Sequence, residues 1–111
     1  MEKREPEKFF NIIFNSVADG VFTTDGEGRI TFFNKAAEEI TGFLSEEAIG
    51  RYCYEIFRAD ICQSRCVLKE VLKTEKEIIN LPVTILNKDG KRIPISISAA
   101  VLRDEKGEVI G

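Results

Sequence analysis

Ile93-Pro94-Ile95-Ser96-Ile97-Ser98-Ala99-Ala100-Val101-Leu102 alternates with a period of two, and that alternation decides the fold class. Ile93, Ile95, Ile97, Ala99 and Val101 fall on one side, and Pro94, Ser96, Ser98, Ala100 and Leu102 on the other. The spacing suits a strand with one buried face and does not suit a helix. Just upstream, Leu81, Val83 and Ile85 alternate with Pro82, Thr84 and Leu86. Between the two runs, Asn87-Lys88-Asp89-Gly90 has the composition of a hairpin turn. Pro82 brings no ladder donor, so its strand belongs at a sheet edge. Downstream, Asp104-Glu105-Lys106-Gly107 predicts another turn. Glu108-Val109-Ile110-Gly111 then reads as the beginning of a further strand, truncated.

The first half of the chain mixes the two periods. Residues 1–8 are charged, carry Pro6 and read as a flexible lead-in to a single domain over residues 9–111. Phe9, Phe10, Ile13, Phe14 and Val17, with Ile12 beside them, form one helical stripe. The stripe can dock on its own domain or, in part, on a second copy of the chain. Val21–Asp25 and Arg29–Phe33 are β-prone and flank the turn Asp25-Gly26-Glu27-Gly28. Asn34 predicts a helix cap before Lys35–Thr41, with Gly42 as its left-handed end. Ser45 predicts the cap of another short turn, with Glu46 and Glu47 at its positive end. Ser64–Thr74 predicts a helix through Val67, Leu68, Val71 and Leu72. Strands at both ends with helices between them make an α+β domain with an antiparallel sheet and helices on one face.

Composition narrows the chemistry. The 111 residues are 43% hydrophobic and 32% charged with a net charge of −3, as in one folded domain. No basic stripe suggests nucleic acid, and no long apolar run suggests a membrane span. Met1–Lys8 does not open like a secretory signal, so a cytoplasmic location is expected. There is no histidine, which removes a Ser-His-Asp triad and any histidine-ligated haem or zinc. No nucleophile is paired with a base, and no carboxylate pair falls in a predicted pocket, so an enzyme is not expected.

An ordered set of short motifs resembles the PAS family. Its first half is Asp19-Gly20-Val21 to Asp25, Gly28-Arg29-Ile30-Thr31-Phe32-Phe33-Asn34-Lys35-Ala36-Ala37, Ile40-Thr41-Gly42-Phe43 and Glu47-Ala48-Ile49-Gly50-Arg51. Its second half is Lys88-Asp89-Gly90-Lys91-Arg92-Ile93-Pro94-Ile95, Asp104 to Gly107 and Val109-Ile110-Gly111. The resemblance implies a five-stranded antiparallel sheet in order 2-1-5-4-3, with short helices on one face and an N-terminal helix. It implies a sensory module of bacterial histidine kinases, transcription regulators or cyclic-dinucleotide enzymes, as in two-component signalling. Such a module senses a small ligand, redox state or metal. It relays the state through homodimer contacts, here the N-terminal stripe and the sheet, to an output domain. A ligand-free dimerisation domain and a cysteine-based iron–sulfur or thiol redox sensor are the alternatives.

Alternation and the family register together give a candidate ligand pocket. Val83, Ile85, Ile95, Ile97 and Ala99 share a face with Phe22, Thr24 and Phe33, opposite Ile40, Phe43, Ile56, Phe57 and Leu68. Its polar groups are Thr24, the cysteines and Tyr52 or Tyr54. A filled hydrophobic core is the plainer reading. Gly50-Arg51-Tyr52-Cys53 resembles the light-oxygen-voltage branch, which binds flavin. Tyr52, Phe57, Ile85 and Ile95 nevertheless stand where flavin-binding amides are expected, and each unpaired buried group would cost about 1–3 kcal/mol. Flavin and haem are therefore not expected. Cys53, Cys62 and Cys66 are the distinctive chemistry. If the last two share a helix they lie on one face, where they could ligate a metal or cluster with Asp60 or a partner's cysteine as fourth ligand. Buried, inert thiols are the alternative.

Overall fold

The computed structural model describes residues 5–62 and 65–111. Helix α1 (Glu5–Ser16) begins inside the segment expected as lead-in, whose residues 1–4 lie outside the described residues. Strands β1 (Phe22–Thr24) and β2 (Ile30–Phe33) follow, then helices α2 (Lys35–Thr41), α3 (Ser45–Ala48), α4 (Cys53–Phe57) and α5 (Val67–Thr74). Strands β3 (Ile78–Leu86) and β4 (Arg92–Ala99) come last. The expected helix from Ser64 therefore begins at Val67, with Ser64 outside the described residues. Cys66 is its N-cap and Cys62 lies in the preceding turn, so the two cysteines do not share a helix.

One device builds all three hairpin turns. The side chain of Asp25, Asn87 or Asp104 accepts from the backbone N–H groups two and four residues on, at 2.8–3.0 Å. Each turn then needs a left-handed residue at its fourth position, and Gly28, Gly90 and Gly107 supply it at φ 89°, 81° and 83°. Asn34 caps α2 through Ala37 N–H at 2.9 Å, and Gly42 ends it at φ 79°. The Ser45 expectation is corrected. Leu44 holds the cap position of α3, and the Glu47 carboxylate accepts from Leu44 N–H at 3.2 Å.

The closed core lies under the short helices. Ile30 and Phe33 of β2 meet Ala37, Ala48 and Ile56 from α2, α3 and α4, with Phe22, Phe43, Cys53 and Phe57 packed around them. Beside it, β3 and β4 form a long antiparallel hairpin, Val83 facing Ile95 and Ile85 facing Ile93. Polar stitches join the two halves along one side. Lys88 N–H donates to Thr41 C=O at 2.8 Å, and Lys88 Nζ pairs with Glu47 at 2.9 Å. Arg58 donates to the carbonyls of Leu86 and Asn87.

The five-stranded order does not appear among the described residues. Two two-stranded sheets do, β1 with β2 and β3 with β4. Residues 108–111 fold back on 102–104 through the Arg103–Val109 bridge and the Leu102–Ile110 and Leu102–Gly111 bonds, without forming a full strand. Ile56 is fully buried whereas Ile79 is 63% exposed. Ile56→Ala is expected to destabilise the domain by about 2–5 kcal/mol, and Ile79→Ala by less than about 0.5 kcal/mol, by urea denaturation.

Candidate functional site

Among the described residues β1 and β4 each pair on one side only, and a cleft of about 560 Å³ lies between them. Residues 18–22 form one wall, and Ile95, Ser96, Ile97 and Ser98 of β4 form the other. Four consecutive strand residues point to alternate faces. All four can line one cleft only if it runs along the strand edge. Thr84 shows which main-chain groups that edge presents. Its C=O accepts from Asp60 N–H at 2.9 Å, and its N–H donates to Asp60 Oδ1 at 3.3 Å. Thr84 therefore leaves its partner Pro94 unbonded across the ladder. By the same alternation the main-chain groups of Ser96 and Ser98 face the cleft.

The expected pocket residues divide between cleft and core. Phe22, Ile40, Phe57, Ile95 and Ile97 line the larger cleft. Phe22, Thr24, Leu68 and Ala99 line a second opening of about 240 Å³, which Gly111 also borders. Phe33 and Ile56 belong to the closed core with Phe43 packed against it, and Val83 and Ile85 are buried on β3. Sequence reasoning missed the polar lining: Asp19, Asn80, Ser96 and Ser98. The serines read as the outward face of β4. Asn80 sits at a bulge with φ 52°, its N–H donating to Ser98 Oγ at 3.0 Å. Its one legible signal is that asparagine tolerates a left-handed backbone.

Two expected polar groups are elsewhere. Tyr52 and Tyr54 stack on each other at 5.5 Å on the surface, and the Arg29 guanidinium lies 4.5 Å over the Tyr52 ring. Asp60, a candidate metal ligand, instead covers the edge of β3. Among the described residues no three His, Cys, Asp or Glu side chains are grouped to hold a metal ion. Burial pushes the Cys53 thiol up from 9.0 to about 12, with Cys66 and Cys62 adding to the rise. Burial also raises Cys62. The Cys53 thiol so placed is protonated at neutral pH.

Two positions where flavin-binding amides are expected carry no amide. Phe57 is held 4.5 Å from the Phe22 ring, and buried Ile85 offers no hydrogen bond to an isoalloxazine edge.

A profile of the family described as PAS domain matches residues 18–111. The signal transduction histidine-protein kinase AtoS of Escherichia coli (strain K12) is 30% identical over 108 residues, which is 97% of this chain. The chain spans only 17% of the length of AtoS. A PAS domain from Colwellia psychrerythraea has a similar fold, with TM-score 0.76 and 23% identity over 96% of this chain and 91% of that one. An RNA-binding light-oxygen-voltage receptor has TM-score 0.78 and 15% identity over 94% of this chain and 30% of that one.

The raised Cys53 value has a consequence for stability. The folded state holds the Cys53 proton more tightly than the unfolded chain, so this contribution is full below pH 9 and is lost as pH rises towards 12. Cys53→Ala is expected to flatten the fall in denaturation midpoint over that alkaline window. An unchanged slope would show that Cys53 does not titrate as described.

Proposed function

The chain belongs to the PAS domain family, and from that premise we propose that it is the sensory module of a larger regulator of the histidine-kinase or transcription-regulator kind, with no catalytic step of its own. The observation that carries this reading is the cleft between β1 and β4, which adjoins the closed core and shares the 18–22 wall with the approach from α1. A fifth strand running along the free edges of β1 and β4 would complete the order 2-1-5-4-3. The apolar residues on the helix side of that strand, Phe22, Ile40, Phe57, Ile95 and Ile97, would then face a small, mainly apolar ligand. Asp19 and Asn80 are the polar groups available to orient it.

The relay in this reading is a homodimer through α1. Phe9, Phe10, Ile12 and Ile13 of α1 and Val17 just beyond its end are exposed, a broad apolar face for one short helix and its exit. Phe10 and Phe14 stack at 5.4 Å, and both meet Phe32 of β2 edge-on, which extends the patch onto the sheet. The closed packing of Ile30, Phe33, Ala37, Ala48 and Ile56 favours a second reading, a dimerisation domain with no ligand.

Two measurements separate these readings. The double variant Phe10→Glu, Ile13→Glu should convert a dimer to a monomer in light scattering without lowering helix content. A monomeric parent would remove the relay. Native mass spectrometry of the domain within its parent protein should show a small-molecule adduct that Ile97→Trp abolishes. A bare mass in every preparation would leave the ligand-free reading.

A further inference from the structure

Asn34 is fully buried, and its side-chain amide makes four hydrogen bonds to four separate places. Oδ1 accepts from Val21 N–H at 2.8 Å and from Ala37 N–H at 2.9 Å. Nδ2 donates to Phe14 C=O at 3.1 Å and to Asp19 C=O at 2.9 Å. Phe14 lies in the last turn of α1, where carbonyls lack helical partners. Asp19 and Val21 belong to the cleft wall. The other polar tie of α1 to the body among the described residues is Lys35 N–H to Asn15 Oδ1, at 3.1 Å and immediately beside Asn34.

We propose that Asn34 is a positioning residue that latches α1 to the cleft: its amide oxygen holds the wall at Val21 and α2 at Ala37, and its NH₂ group holds the wall at Asp19 and the end of α1 at Phe14. A shift of residues 18–22 that carries the amide with it strains the bond to Phe14, because one planar group serves both. The latch gives the sensory reading its route from cleft to dimer helix, and rests on that reading for its purpose only. The coupling itself is a property of the free chain.

Hydrogen exchange tests it. Asn34→Asp and Asn34→Ser both keep an oxygen that can cap α2 and both lose the NH₂ donors. Amides of residues 9–16 should exchange about tenfold faster or more, with α2 changing less than about threefold. Gly20→Ala then perturbs the wall without touching the amide, because its Cβ would come 2.9 Å from Ile40 Cδ1 and 3.3 Å from Ala37 Cα. It should speed exchange in α1 when Asn34 is present and add nothing in the Asn34→Asp background. Unchanged α1 exchange, equal loosening of α1 and α2, additive effects of the two substitutions, or unfolding of both Asn34 variants would each overturn the latch. A chain that neither dimerises nor binds a ligand could still pass, so failure here and failure of the sensory reading are distinguishable.

Discussion

A buried primary amide is costly unless both its donors and both its acceptor sites are used, at about 1–3 kcal/mol for each group left unpaired. Asn34 meets that demand with four bonds, and its own backbone N–H and C=O are bonded as well, to Val21 and Glu38. The first half of the molecule is arranged to satisfy it. The end of α1 must come within reach of Nδ2, the 18–22 segment must curl past it, and α2 must start there. Once these are set, Phe33 and Ala37 on either side of Asn34 enter the same core, and Phe22 is carried opposite Phe33 in the β1–β2 ladder.

The second half is held differently. The β3–β4 hairpin is long, with a bulge at Asn80, and is tied to the helices by polar bonds at its turn and along its outer edge. Asp60 takes both main-chain groups of Thr84, next to Pro82, which has no donor to offer. That edge is therefore covered, whereas the opposite edge, on β4, faces the cleft. The asymmetry brings a β4 edge that pairs with no second strand among the described residues together with apolar side chains, which is the arrangement a strand or ligand can exploit.

The cysteines show how burial redirects chemistry. Their spacing allows a ligand set in principle. The turn through Cys62 and the cap position of Cys66 keep them off a common helix face, and Cys53 packs against the core with its thiol held protonated. Asp60, two residues before Cys62, is committed to β3.

Much of this was legible in the residues. Period-two alternation located β3 and β4, the Asp/Asn-x-x-Gly turns located the hairpins, and Asn34 and Gly42 bounded α2, because each is a local rule acting within a few residues. The apolar pocket residues were legible as a set from the same alternation. Tertiary structure alone decided which of them are core and which line the cleft, since that depends on where two separate hairpins stop short of each other. It also decided that Asn34 binds α1 and β1 as well as α2, that Asp60 serves a strand edge, and that Asn80, Ser96 and Ser98 meet the cleft. Those are contacts between residues far apart in sequence, fixed by how the hairpins and helices pack, and no local pattern encodes that distance.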